Sequence, residues 1–141
     1  MVSLCLTSFL FSTTVLHSFY TRDVLYHHTM LSVMALSIAV HTFHYIAKSD
    51  QEISNYFKYI CLIDRIVAHL AFCVVFCDML MLVFAKSIWY SGVLIFPYII
   101  LMSWILEHSP TFKHMHRSLH TILHATSICA VHVMLCLKAR L

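Results

Sequence analysis

Glycine, proline and charged residues are scarce in this chain. Its 141 residues include one glycine and two prolines, which leaves little of the turn chemistry that a β-fold of many short strands requires. Only 11% of the residues are charged and 61% are hydrophobic, whereas about a quarter of a soluble domain is charged. A soluble domain cannot bury this much apolar surface, but a bilayer can accommodate it. The composition therefore predicts an all-α integral membrane protein, a multi-pass helical bundle.

The formal net charge of +3 is small, and the basic residues are spread along the chain. Nucleic-acid binding, which needs a concentrated basic surface, is therefore not expected. The partner that this composition predicts is the lipid bilayer, and a larger membrane assembly, of which the chain would be one subunit, is an alternative. A membrane lipid as substrate is expected only from the candidate site described below.

Apolar runs of bilayer length divide the chain into about five predicted spans, since ~20 helical residues cross a membrane. The polar stretch Thr21-Arg22-Asp23 separates the first two. Ser109-Pro110 has the pattern of an N-cap followed by proline at the first helical position. Pro97 in the middle of the fourth span predicts a kink. We expect one membrane domain over residues 1–141, with spans at about 2–20, 24–48, 57–86, 88–107 and 112–137.

Twelve histidines are the unusual feature of the composition, because ionisable groups inside membrane spans are rare and often functional. With five spans, His41, Asp64, His116 and His120 all lie near the same membrane face, each about 10–15 Å from the end of its helix. Ser37 lies one helical turn before His41, on the same side of its helix. This shared depth predicts a cluster of three imidazoles, a carboxylate and a hydroxyl.

Zinc is the ion that suits such a cluster. Zn²⁺ accepts imidazole nitrogens in tetrahedral geometry, and a catalytic site leaves its fourth position to water. His41, His116 and His120 are the predicted ligands. Asp64 would hold the water or take its proton, and Ser37 would donate a supporting hydrogen bond. A substrate that reaches this site from the bilayer would be a lipid amide or ester.

The order Ser37-x-x-x-His41, Asp64, His116-x-x-x-His120 resembles a superfamily of seven-helix membrane proteins. It includes the alkaline ceramidases, the progestin and adipoQ receptors, the haemolysin-III-like proteins and the Per1-type lipid-remodelling proteins. In that superfamily three histidines bind zinc, and the Ser and Asp lie beside the metal and its water. The resemblance implies these roles here, with ceramidase-like amide cleavage as the activity. This chain has about five predicted spans rather than seven.

Some alternatives remain open at this point. His120 and His124 repeat the His-x-x-x-His spacing, so the ligand pair has two possible registers. A haem b-binding electron-transfer subunit needs histidines at equal depth on different helices. The sequence contains two tiers of histidines, each tier at one depth in the membrane. However, the single glycine leaves little room for a porphyrin between the helices. A non-enzymatic subunit, or a proton pathway through Asp64, His69 and Asp78, also fits. The two tiers are His41, His44, His116 and His120, and His17, His27, His28 and His132.

Overall fold

The computed structural model describes residues 2–46, 51–86 and 88–140, and the side chains of residues 8–43, 55–86 and 90–140. These residues form helices joined by short turns, and no strand occurs among them. The predicted all-α fold is confirmed. The α-helices are α1 (Val2–Tyr20), α2 (Val24–Ile46), α3 (Gln51–Ala85), α4 (Ile95–His108) and α5 (His116–Lys138), with 3₁₀ helices at Ile88–Leu94 and Pro110–Met115.

Within the described residues, four helical segments are long and apolar enough to cross a membrane. In the most apolar part of each, only 17–33% of the residues are buried. Large apolar side chains lie on the surface, among them Leu70 and Phe84, which are 61% and 82% exposed. That the segments cross a membrane, and that α1 is a fifth span, stays a prediction. The four segments are Val24–Phe43, Asn55–Ala85, Tyr90–His108 and Pro110–Lys138.

The chain divides into two compact units, Met1–Ala71 and Phe72–Leu141. The first contains α1 and α2 and the second contains α4 and α5, while α3 is divided between them at Ala71. The single membrane domain expected over residues 1–141 stays a prediction.

A tight turn joins α1 to α2 in the first unit. Arg22 has φ 58°, in the left-handed region that residues with a Cβ rarely adopt. The Arg22 N–H donates to the Phe19 carbonyl at 3.1 Å, and the Asp23 N–H donates to the Ser18 carbonyl at 3.0 Å. The Asp23 carboxylate then accepts a hydrogen bond from the Tyr26 backbone N–H at 3.1 Å, which caps the start of α2. So short a turn makes α1 and α2 antiparallel neighbours.

Small hydroxyl side chains lie where α1 packs against α2. Ser8, Thr14 and Ser18 are completely buried, and Ser37 is 5% exposed. The Ser8 and Ser37 hydroxyls are 2.8 Å apart and form a hydrogen bond between the helices. Small residues allow helix backbones to approach closely, which favours packing in a membrane. The buried apolar residues of the same two helices are Phe11, Tyr26, Met30 and Val33.

The turn between α4 and α5 in the second unit is built around Pro110. Ser109 has an extended backbone, φ −76° and ψ 131°, the conformation that a following proline favours. Pro110 occupies the first turn of the 3₁₀ helix, as its sequence position predicts, although the Ser109 side chain makes no capping hydrogen bond. The chain bends again at Phe112, whose backbone is non-helical. This turn brings the end of α4 beside the start of α5.

Pro97 marks the start of a helix rather than a kink within one. It is the third residue of α4, and the segment before it, Ile88–Leu94, is a 3₁₀ helix. The first four N–H groups of an α-helix have no partner inside the helix, so proline loses no hydrogen bond at this position.

The packed face of α5 continues beyond the turn. Ile128, Val131 and Leu135 are buried at helical spacing. Near the end of α5, the Lys138 ammonium donates to the Asp78 carboxylate of α3 at 2.9 Å. Both side chains are about a third exposed, at 37% and 30%, so this ion pair adds little to stability.

Candidate metal centre

Three histidines follow one another on a single face of α5. His116, His120 and His124 are spaced four residues apart, which places each one helical turn after the last. The His116 and His120 rings are 6.1 Å apart, and the His120 and His124 rings are 4.5 Å apart. Exposure decreases along the row, because the side chains of His116 and His120 are 57% and 28% exposed while His124 is buried. The row therefore leads from the surface into the packed part of the unit.

Glu107, in the last turn of α4, connects two of these histidines. Its Oε1 atom accepts a hydrogen bond from His120 Nδ1 at 2.9 Å and lies 3.3 Å from His116 Nδ1. The Glu107 side chain is only 6% exposed. A buried carboxylate needs such partners, since an unpaired buried charge is costly.

The Glu107 contact fixes which nitrogen of His120 is available. A carboxylate only accepts hydrogen bonds, so Nδ1 of His120 carries the proton. In neutral imidazole the lone pair is then on Nε2, which is the atom that a metal ion would bind. Histidine ligands in metalloproteins are commonly held in this way, with the second ring nitrogen bonded to a carboxylate.

His120 and His124 have ligand nitrogens within 4.8 Å of each other. Two imidazole nitrogens bound to one zinc ion, at ~2.0–2.1 Å each, lie roughly 3.3–3.5 Å apart in tetrahedral geometry. Two nitrogens within 4.8 Å are close enough for this pair to be candidate ligands of one metal ion. The protein thus contains a histidine cluster that could bind a metal ion.

The predicted site residues divide between the two units. His116 and His120 lie in the second unit, and Glu107 brings them together. Ser37, His41 and Asp64 lie in the first. There, Ser37 is bonded to Ser8, while His41 and Asp64 are half-buried. A joint site of all five residues stays a prediction.

Glu107 and Ser8 are not among the site residues that the sequence predicts. Glu107 is an acid at the end of an apolar run, two residues before Ser109-Pro110, where the sequence predicts only the end of a span. An acid flanking a turn that leads into a histidine row is a signal that could have identified it. Ser8 carried no comparable signal, because serine is common in membrane helices and usually bonds its own helix.

Comparison of the chain with protein-family models, curated proteins and solved structures gave no match.

Proposed function

We propose that this protein is an integral membrane protein that binds one zinc ion through His120 and His124, and that it hydrolyses a lipid amide or ester. The observation that carries the metal site is the Glu107–His120 hydrogen bond of 2.9 Å, with His124 alongside. This observation supports the second of the two possible ligand pairs, His120 with His124.

Glu107 is the residue that organises this site. By holding the Nδ1 proton of His120, it orients the ring and raises the basicity of Nε2. Glu107 also contacts His116 through Nδ1, at the longer distance of 3.3 Å. His116 is the most exposed of the three histidines. It would be a zinc ligand only in the alternative pair, His116 with His120.

The third ligand in the proposal is His41. The sequence places it at the same membrane face as His120 when the predicted spans are counted, and the superfamily resemblance implies the same role. Two ligands from α5 and one from α2 would leave a fourth position open, as in catalytic zinc sites.

The membrane placement rests on surface chemistry. Four helical segments have the length and apolarity to cross a bilayer, and large apolar side chains cover their surfaces. A lipid is the substrate that can reach a site between such helices. A bound zinc ion would supply a Lewis acid that activates water toward a carbonyl group. Asp64 would accept the proton from that water and Ser37 would orient it, roles that rest on the resemblance.

The test is metal analysis and a visible spectrum of the full chain purified in detergent, followed by a hydrolysis assay with ceramides and ester lipids. About one zinc per chain without a Soret band is the expected result. A Soret band would replace the proposal with haem binding, and the absence of both zinc and haem would reject the metal centre.

Turnover needs its own control, because receptors in the resembled superfamily share this kind of metal site. Asp64→Asn keeps the size of the side chain but removes the proton acceptor. The expected result is loss of hydrolysis with zinc retained. Zinc in the wild type with no hydrolysis of any amide or ester lipid would limit the function to metal binding.

A further inference from the structure

The connection between α4 and α5 carries an exposed basic surface. Lys113, His114 and Arg117 are all exposed, as is His108 just before the turn. Between residues 79 and 141 the only acid is Glu107, and its side chain is 6% exposed and occupied by His120. Within the described part of residues 79–141, no other carboxylate is therefore present to neutralise the positive charge of this surface.

Lys113 and Arg117 differ from the lysine at the other end of α5. Lys138 is ion-paired with Asp78 at 2.9 Å. In the part of the chain that the structure describes, Lys113 and Arg117 make no ion pair or side-chain hydrogen bond. They lie four residues apart, with Lys113 in the 3₁₀ helix and Arg117 in the first turn of α5. Both ammonium and guanidinium groups are thus available to an external anion.

Trp104 indicates the depth at which this surface would lie in a membrane. It is 41% exposed in the last turns of α4, and its ring is 4.9 Å from that of His108. His108 Nδ1 donates to the Trp104 carbonyl at 2.9 Å, which holds the imidazole beside the indole. Tryptophan at the end of an apolar span is typical of the head-group level of the bilayer. The basic residues that follow within about 10–15 positions of chain would meet lipid phosphates there.

We propose that Lys113 and Arg117 form a binding site for the head group of an anionic phospholipid, at the membrane face where α4 connects to α5. The chemistry recognised is a phosphate that carries negative charge. We assign it to a lipid rather than to free phosphate because the exposed Trp104 places the site at head-group depth. The inference rests on the membrane placement proposed above and is independent of zinc and of catalysis.

The experiment uses the full chain reconstituted in phosphatidylcholine vesicles that contain a minor fraction of phosphatidylglycerol. Spin-labelled analogues of both lipids report the preference of the protein for the anionic one. The wild type is compared with Lys113→Gln/Arg117→Gln. The double variant should reduce the preference by roughly fivefold per charge, the typical effect of a basic residue near an anionic membrane surface. Excess chloride should weaken the wild-type preference by screening.

The matched control is Lys58→Gln/Arg65→Gln, which removes two exposed positive charges from α3. It should keep the preference of the wild type. Lys113→Arg/Arg117→Lys retains both charges and should also keep it, which separates charge from any effect on folding. Equal losses in the two glutamine pairs would overturn the proposal, because the preference would then follow net charge alone.

Two further outcomes separate this inference from its alternatives. If phosphate, compared with chloride at equal ionic strength, abolishes the preference, the site binds free phosphate and the lipid assignment is wrong. Zinc content is measured on the same samples. An anionic-lipid preference in a protein without zinc would support the lipid site while rejecting the metal centre, whereas release of the chain from vesicles by alkaline washing would overturn the membrane placement and the lipid site together.

Discussion

The two helical hairpins, α1–α2 and α4–α5, have different chemistry at their interfaces. In α1–α2, hydrogen bonds between the helices join the Ser8 and Ser37 hydroxyls and link His27 Nδ1 to the Val15 carbonyl. In α4–α5 a cross-helix hydrogen bond joins a carboxylate to an imidazole, Glu107 to His120. Hydroxyls that are hydrogen-bonded bury at moderate cost, whereas burying a carboxylate costs far more and must be compensated by its partners. The first interface is of the kind that packs helices, and the second retains a charge that packing alone does not require.

The two units also differ in their balance of acidic and basic residues. Residues 1–71 contain four acids and four Lys or Arg residues, while residues 72–141 contain two acids and five Lys or Arg residues. Each unit contains six histidines. Histidine content therefore does not distinguish them, but the arrangement of the histidines does. In the second unit three of them share one helical face and one carboxylate serves two of these.

The largest expected effect is loss of zinc from His120→Ala. Removing a side chain that only orients a metal ligand already lowers affinity about 10- to 100-fold, so removing the ligand itself should exceed about 100-fold. His27→Ala is the matched change in the first unit, where His27 Nδ1 lies 3.2 Å from the Val15 carbonyl. That variant should lose some stability and keep its zinc, as measured by metal competition with a chelator.

Similar zinc loss from both substitutions would contradict the contrast between the hairpins. It would mean that zinc retention depends on folding in general. Circular dichroism and gel filtration of each variant distinguish that case, since His120→Ala should keep the helical content of the wild type.

A smaller effect is expected from Glu107→Gln. The substitution keeps the size of the side chain but removes the negative charge that holds His120, so zinc affinity should fall about 10- to 100-fold. Asp23→Asn is the control, because asparagine caps a helix about as well as aspartate and the first unit should keep its α2 cap. Chelator competition on both variants checks the prediction, and unchanged affinity in Glu107→Gln would show that the carboxylate has no part in metal binding.

Much of the helix layout could be predicted from the sequence, because polar turn signals separate apolar runs of bilayer length. The predicted spans 2–20 and 24–48 correspond to α1 (Val2–Tyr20) and α2 (Val24–Ile46). Pro97 was the instructive difference. A proline inside an apolar run predicts a kink, but the preceding residues adopt a 3₁₀ helix and α4 begins beside the proline. Sequence periodicity does not distinguish these two outcomes over so short a stretch.

The candidate site was only partly predictable, for a physical reason. The histidine row of α5 follows from the four-residue spacing of its histidines, which can be read in the sequence. Glu107 contacts that row from another helix, and its position depends on how the chain turns at Pro110 and Phe112. Such a contact is set by tertiary packing rather than by local spacing. The same holds for Ser37, whose hydroxyl bonds Ser8 across 29 positions of sequence.

The hydroxyl pair of the first hairpin should have a modest energy. In a double-mutant cycle of Ser8→Ala and Ser37→Ala, the coupling free energy is expected at about 0.6 kcal/mol, the mean for polar pairs between membrane helices. Unfolding in mixed micelles of SDS and a mild detergent measures it. Zinc affinity should be unchanged in all three variants. A coupling energy near zero would indicate that the hydroxyls pack without a productive hydrogen bond.

An effect of similar size is expected at the turns of the two hairpins. The α4–α5 turn has Ser109 in the extended conformation that a following proline favours, whereas the α1–α2 turn holds Arg22 at φ 58°. A Cβ in the left-handed region costs about 1 kcal/mol or more, and glycine avoids that cost. Arg22→Gly should therefore be more stable than Arg22→Ala by up to about 1 kcal/mol. The two variants lose the same exposed charge, so the difference isolates the backbone. Unfolding in the same mixed micelles measures it, and equal stability of the two variants would place Arg22 outside the left-handed region in the folded protein.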